Sequence, residues 1–328
     1  MSSLIQIRKP ETNETDCARK ETELLARLRE LPSLVIAVSG GADSAYLAWA
    51  AHRALGSNAL SVTAISPSYA AYDRGELEKF VALTGVRHEF VETHEMENPA
   101  YRANAGDRCY YCKDELFNVL DKLALQRGFA AVAYGVNADD TDDFRPGHRA
   151  AAEHRVLAPL LDAKMSKADI RALSHRAGLP TWDRPASACL SSRLPYGTEV
   201  TPERLQLVEN GETILRNLGF RQFRVRLHDK LARIEIAPEE LSSAMAVDMC
   251  AEIARQFKAA GFLYVALDLE GYRQGSLNAA LGIPQEKRFF AIGHQDPDAM
   301  LQVDCAHDKA PFGSHRHLTM CRGRVFAI

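Results

Sequence analysis

The stretch that most limits how this chain can fold runs from Val35 to Ser44, Val-Ile-Ala-Val-Ser-Gly-Gly-Ala-Asp-Ser. Its first half is apolar and β-branched, the pattern of a strand buried on both faces. Its second half is a glycine turn, and a helix-like segment from Ala45 to Leu55 follows at once. Strand, turn and helix start together form a cradle for phosphate. Gly40 and Gly41 let backbone N–H groups approach an anion, and the helix N-terminus adds its partial positive charge. Ser39 and Ser44 offer hydroxyl donors, and Asp43 can help hold a magnesium ion that bridges phosphates.

This turn is not a Walker loop, which requires a lysine that is missing here. It resembles the loop of the pyrophosphate-loop (PP-loop) ATPases. That resemblance implies cleavage of ATP between its α and β phosphates, with AMP passing to a carbonyl or carboxyl oxygen. A glycine turn without a ligand is the plain alternative, and six matching positions directly after a strand argue against it.

The rest of the chain supports a parallel sheet. Helical spacing covers Cys17 to Leu31, Asp43 to Leu55, Gly75 to Leu83, Lys113 to Gln126 and Ser166 to Ala177. Strand patterns cover Leu34–Val38, Leu60–Ile65, His88–Val91, Ala130–Gly135 and, briefly, Val156–Leu160. Ser166 with Asp169 three residues on reads as a helix cap, and Gly178-Leu179-Pro180 as a stop. Alternating strands and helices predict an α/β fold, a doubly wound parallel sheet whose ligands bind at the carboxyl ends of the strands. Beyond Pro195-Tyr196-Gly197 the pattern changes to a helix from Thr201 to Leu218, strands Phe223–Leu227 and Ala232–Ile236 around a turn at His228–Lys230, a helix from Pro238 to Ala260, and a strand Leu263–Leu269. The expected organisation is a first domain over 1–195, a smaller α+β domain of order α-β-β-α-β over 196–280, and a poorly ordered tail over 281–328.

Forty Lys and Arg against 43 Asp and Glu give a net charge of −3, so no global basic field points to nucleic acid. No apolar stretch reaches the length of a membrane span, and Met1 to Lys20 lacks a signal-peptide core. A cytoplasmic location, with no membrane partner, is the expectation. In that compartment the seven cysteines are reduced, metal-bound or catalytic rather than paired in disulfides. Cys109-Tyr-Tyr-Cys112 opens a predicted helix. By itself it admits half a zinc site, a redox dithiol or part of an iron–sulfur site. Cys189, in the turn-like run Arg184 to Arg193, is a third thiol; three unrelated buried cysteines are the alternative. In the tail, Cys305, His307, His315, His317 and Cys321 match no zinc spacing.

Several segments together now carry a family resemblance. They are Ser39–Ser44, Cys109–Lys113, Asp142–Gly147, Ala186–Gly197, Arg224–Arg226, Arg233–Glu235 and Asp268–Gly275. The chain resembles the LarE family of ATP-dependent pyridinium-3,5-biscarboxylic acid mononucleotide sulfurtransferases over roughly residues 18–280. That family makes the thiocarboxylates of the nickel-pincer nucleotide cofactor. In one branch a single cysteine surrenders its sulfur and becomes dehydroalanine; its position matches Ala188 here, with Cys189 displaced by one. The resemblance is to the other branch, where three cysteines bind a 4Fe–4S cluster with one iron open to sulfide. It implies ATP, Mg2+ and the cluster as cofactors, Cys109, Cys112 and Cys189 as metal ligands, and a homo-oligomer built as a trimer-based hexamer.

For the substrate, Arg224 and Arg226 fall on one face of a strand, and paired guanidinium groups suit phosphate. Cross-strand pairing with Glu235 is the alternative. Arg273 in a glycine-rich turn is a similar candidate. Arg193 either contacts a carboxylate or forms an ordinary salt bridge. Gly135 and Asn137, after the strand Ala130–Tyr134, line the nucleotide site, although Asn137 equally suits a plain turn. The competing functions are a tRNA thiolation enzyme of the same superfamily, an ammonia-dependent amide synthetase, and a nucleotide-sensing protein with a vestigial loop.

Overall fold

The computed structural model describes residues 14–140, 146–185, 188–273 and 276. The motif positions 142–145, 186–187 and 274–275, and the tail 281–328 with its Cys and His residues, lie outside the described residues.

Four strands, β1 (Leu34–Ala37), β2 (Ala59–Ile65), β3 (His88–Glu92) and β4 (Ala131–Tyr134), form a parallel sheet of order β3-β2-β1-β4. Side chains alternate faces along a strand, and β1 shows both faces covered. Leu34 and Ile36 join a core with α1 (Glu14–Arg29), α2 (Ala42–Leu55) and α8 (Lys167–Arg176), through residues such as Leu24, Leu47 and Ile170. Val35 and Ala37 join a second core with α5 (Arg108–Arg127) and α6 (Pro146–Glu153), through Phe117, Leu120 and Ala150. The sheet is therefore doubly wound, as the alternation of elements predicts. The chain runs from β1 outward to β3 and then returns to place β4 on the other side of β1. The crevice at a doubly wound sheet's ligand end lies where the order reverses, here between the carboxyl ends of β1 and β4.

The Ser166 cap forms as expected, with Ser166 Oγ accepting from the Asp169 N–H and the Asp169 carboxylate accepting from the Ser166 N–H. Val156–Leu160 does not form the expected strand. A single parallel bridge joins Leu157 to Ala133, and Pro159 then opens the short helix α7 (Pro159–Asp162). Proline has no N–H for a ladder and suits the first position of a helix. Two helices beside the expected ones appear, α6 and the single turn α4 (Pro99–Arg102), whose Asn98 cap accepts from the Ala100 N–H.

The remaining elements are α3 (Ala71–Thr84), α9 (Pro202–Asn217), β5 (Phe223–His228), β6 (Leu231–Ile236), α10 (Pro238–Ala244), α11 (Val247–Ala259) and β7 (Tyr264–Leu267). β5 and β6 are antiparallel, β7 adds parallel to β6, and Asp229 takes the left-handed turn conformation at φ 53°. The one long helix expected over Pro238 to Ala260 is two helices, because Ala246 is extended at φ −61°, ψ 137°. The break re-aims α11 so that Ile253 and Phe257 enter the core of this three-stranded sheet. That core also takes in Tyr101, Leu190 and Leu194. No described helix is long and apolar enough to cross a membrane.

His154, just past α6, is clamped between Asp121 (Nδ1–Oδ2 2.7 Å) and Asp114 (Nε2–Oδ1 3.0 Å) of α5. Burial lowers its pKa, but the bonds to the two carboxylates outweigh this and raise it above the ordinary 6.5. A folded pKa above the unfolded one gives stability that is complete below about pH 6.5 and lost as pH rises through the folded value. Urea titrations should therefore show stability falling as pH rises above about 6.5, and Asp114→Asn/Asp121→Asn should flatten that slope. An unchanged slope would assign the pH dependence elsewhere.

Candidate active site

The glycine turn over Ser39–Ser44 follows directly on β1. Gly40 has φ 83°, a left-handed value that disfavours other residues, and Gly41 caps α2 with no side-chain bond of its own. The Gly41 N–H donates to Ser39 Oγ at 3.4 Å, and the first turn of α2 beyond it presents backbone N–H groups. Ser39 and Ser44 hydroxyls lie 3.1 Å apart; the Ser39 N–H donates to Ser44 Oγ at 3.2 Å, and Ser44 Oγ donates to the Gly41 carbonyl. These bonds hold the turn open without a ligand.

From the other side of the crevice, the loop after β4 supports it. A Cβ on Gly135 would stand 2.7 Å from Ser44 Cα and 2.8 Å from its nitrogen. Gly135 is therefore the point where the two backbones meet. Two residues on, Asn137 Nδ2 donates to Asp43 Oδ2 at 3.1 Å, and Asn137 Oδ1 accepts from the Asp139 N–H at 2.9 Å. Asn137 serves both as turn residue and as partner of the loop acid. Asp43 Oδ1 is buried and accepts no hydrogen bond. Burial raises the Asp43 pKa; Lys167 pulls it down, and Asp140 pushes it up. A buried carboxylate oxygen without a donor, beside a second acid, suits a hard cation. This donor chemistry fits Mg2+.

The cysteine segment is built on a second network. Cys109 and Cys112 lie in the first turns of α5, and Cys189 precedes a 3₁₀ turn over Leu190–Arg193. Tyr101 OH bonds Ser191 Oγ at 2.7 Å, and Arg108 Nη1 donates to the Ser191 carbonyl at 2.9 Å. Arg108 Nη2 lies 4.0 Å from Cys109 Sγ. The Cys112 thiol is pushed far up by burial, then by the Cys189 charge and by Glu95. Cys189 and Cys109 also act electrostatically on Arg108. The three thiols thus share one neighbourhood, with Arg108 as its cation. Among the described residues no three His, Cys, Asp or Glu side chains form a group that could hold a metal ion.

The expected arginines divide. Arg193 makes a forked, buried ion pair with Glu212 (2.7 and 3.2 Å) and donates to the carbonyls of Ala188 (2.5 Å) and Cys189 (3.0 Å). It is a salt bridge that also positions the cysteine turn. Arg226 takes the cross-strand alternative: it forks onto Glu235 at 3.1 and 2.9 Å and donates to the Ser192 carbonyl. Arg273 sits with Asp268 and Glu270. Arg224 lies against the Tyr272 ring at 5.0 Å and lines a cleft of about 440 Å³. Burial and then the neighbouring Arg193 charge lower its pKa. A cation so placed gains from an anion entering the cleft.

Two walls of that cleft reach back to the chemistry. Arg193 holds the Cys189 turn, and Arg184 donates to the Gly40 carbonyl of the phosphate loop at 2.7 Å. Arg184, Tyr101, Arg108, Glu212 and Asp140 were not expected from the sequence. Their nearest clue is position: Arg184 opens the Cys189 segment, Arg108 precedes Cys109, and Asp140 closes the Asn137 turn.

No protein-family model matches the chain. It is 46% identical over 252 residues to an uncharacterized protein of Synechocystis, covering 77% of this chain and 94% of that protein. To an uncharacterized protein of Methanocaldococcus jannaschii it is 35% identical over 170 residues, 52% of this chain and 66% of the relative. To the pyridinium-3,5-bisthiocarboxylic acid mononucleotide synthase of Lactiplantibacillus plantarum it is 34% identical over 267 residues, 80% of this chain and 95% of that protein. An identity of that size, sustained along nearly the whole of the relative, places the chain in the pyridinium-3,5-bisthiocarboxylic acid mononucleotide synthase (LarE) family.

Proposed function

We propose that the protein is an ATP-dependent sulfurtransferase acting on the carboxylates of pyridinium-3,5-biscarboxylic acid mononucleotide. A substrate carboxylate oxygen attacks the α-phosphorus of Mg-ATP; the bond to the β-phosphate breaks, and pyrophosphate leaves. Sulfide then attacks the acyl-adenylate carbon; the C–O bond to the adenylate breaks, and AMP and a thiocarboxylate remain. A carboxylate is a poor electrophile, so the first step makes the second possible.

The observation that carries this reading is the cleft whose wall touches both the phosphate loop, through Arg184, and the Cys189 turn, through Arg193. An acceptor bound there stands one side chain from the glycine turn, across Arg184, and one from the cysteine turn, across Arg193, and two-step transfer draws on such proximity. Ser39, Gly40, Gly41 and Ser44 hold the departing phosphates by backbone and hydroxyl donors. Asp43, with Asp140 close, holds the magnesium ion. Arg224 meets the anionic substrate. Cys109, Cys112 and Cys189 would hold a 4Fe–4S cluster, which when bound would supply sulfide to the reaction. Arg193 and Arg108 hold the cysteine turn and compensate thiolate charge.

The test is incubation of anaerobically purified protein with Mg-ATP, sulfide and the dicarboxylate nucleotide. AMP, pyrophosphate and a mass gain of 16 per exchanged oxygen are the expected products; ATP hydrolysis independent of the nucleotide would sink the reading. Asp43→Ala is expected to lower turnover at least 100-fold, the scale of losing an electrostatic group from a preorganised site. Iron and sulfide analysis of Cys189→Ala checks the ligand set separately.

A further inference from the structure

The phosphate loop carries no cation of its own between Val38 and Tyr46, yet it is read here as the seat of the strongly anionic pyrophosphate group. We infer that Arg184, 144 residues away in sequence, supplies that missing charge and binds the β- and γ-phosphates of ATP directly. This inference rests on the ATP-dependent reading of the site.

Three observations carry it. First, Arg184 is at the loop: its Nη1 donates to the Gly40 carbonyl at 2.7 Å, and it is the nearest atom, at 3.4 Å, to where a Cβ on Gly40 would stand. Second, it is held there rather than swinging in solvent. Nη2 donates to Asp73 Oδ1 of α3 at 2.6 Å, with both side chains largely buried. Its own backbone is fixed by Arg171 of α8, which donates to the carbonyls of Trp182 (3.1 Å) and Arg184 (2.7 Å). Third, it faces space: Arg184 lines the 440 Å³ cleft.

A guanidinium has five N–H donors. One bond to Gly40 and one to Asp73 leave three for a ligand, in the planar fork that matches phosphate oxygens. The Asp73 bond is also a device of placement. It fixes the fork's orientation before the nucleotide arrives, so little side-chain freedom is lost on binding. A lysine inside the loop, the usual arrangement for phosphate, is thus replaced by an arginine delivered from the segment that leads into the cysteine turn. The same segment, Arg184 to Arg193, then presents a phosphate-binding residue at one end and the sulfur side at the other.

The experiment is calorimetry of Mg-ATP, Mg-pyrophosphate and AMP with the full chain and with Arg184→Met. The expected result is at least a tenfold loss of affinity for ATP and pyrophosphate with AMP affinity within twofold of the parent, because AMP lacks the two phosphates that Arg184 grips. Equal losses for ATP and AMP would overturn the inference, since Arg184 would then merely shape the loop. So would unchanged ATP affinity. Should Arg184→Met fail to fold because Asp73 loses its buried cation, Arg184→Met/Asp73→Asn removes both charges and carries the same readout with the same expected pattern. If the parent protein itself binds neither ATP nor pyrophosphate, the ATP-dependent reading falls, and that outcome is distinct from a parent that binds and a variant that binds equally well.

Discussion

Glu212→Ala is expected to lower the unfolding free energy by about 3–5 kcal/mol, the loss seen when one partner of a buried ion pair is removed. Arg193 and Glu212 expose only 3% and 8% of their side chains. Without the carboxylate, the Arg193 guanidinium stays buried with carbonyl and hydroxyl partners alone, and the Val225 N–H loses its acceptor at 3.4 Å. Removing both charges is a different perturbation. Arg193→Met/Glu212→Leu should recover most of the loss, because a buried pair replaced by apolar groups of similar volume is often neutral. The recovered protein is still expected to lose sulfur transfer, since the carbonyls of Ala188 and Cys189 lose the donor that fixes them. Chemical denaturation of the two variants, with turnover measured on the double variant, separates stability from positioning. A stable double variant with parental turnover would show that Arg193 serves the fold alone. The pair also predicts an acid limb. Burial raises the Glu212 pKa, but the Arg193 charge and its hydrogen bond outweigh this and leave it lowered from 4.5. A depressed folded pKa gives stability that is present above about pH 4.5 and lost as pH falls through the folded value. The Glu212→Gln variant should lack that limb.

Gly135→Ala is expected to cost about 1–3 kcal/mol, the range for forcing an extra methyl into packed surroundings, and to weaken ATP binding more than tenfold. The colliding atoms are the Ser44 Cα and nitrogen and the Asp43 carbonyl carbon, at 2.7, 2.8 and 3.1 Å. All belong to the backbone of the α2 start, so no side chain can turn aside. The helix N-terminus itself must move, and with it the N–H groups meant for phosphate. Thermal melts and nucleotide calorimetry on this variant check both halves. Intact nucleotide affinity would show that the crevice tolerates displacement of α2.

The way local pattern leads and then stops leading is visible in particular elements. The strand over Leu34–Ala37, the glycine turn, the start of α2 and the Ser166 cap follow from neighbours a few residues apart, and each formed as its pattern requires. Val156–Leu160 did not, because the apolar run that suggests a strand contains Pro159, and the helical turn won. The long helix after Pro238 broke at Ala246 because burial of Ile253 and Phe257 demanded a new direction, which no local propensity encodes. For the arginines, the alternation on β5 placed Arg224 and Arg226 on one face. It could not say which would find a carboxylate. Register sets Glu235 opposite Arg224, yet its carboxylate takes the fork of Arg226 across the diagonal, and Arg224 lines the cleft.

The amino-acid order alone set the glycine turn after β1, the doubly wound pattern and the thiol spacing of Cys109 and Cys112, because each depends on contacts within a turn or on the period of one element. Tertiary structure decided what stands around them: Gly135 against Ser44, Arg184 at Gly40, Arg193 beneath Cys189, and Tyr101 and Arg108 at the cysteine turn. Those pairs are separated by roughly 80 residues or more in most cases, apart from the cap-like bonds within the Cys189 turn. Their energies come from burial and charge pairing after the chain closes, and a linear pattern holds no record of which distant groups will meet.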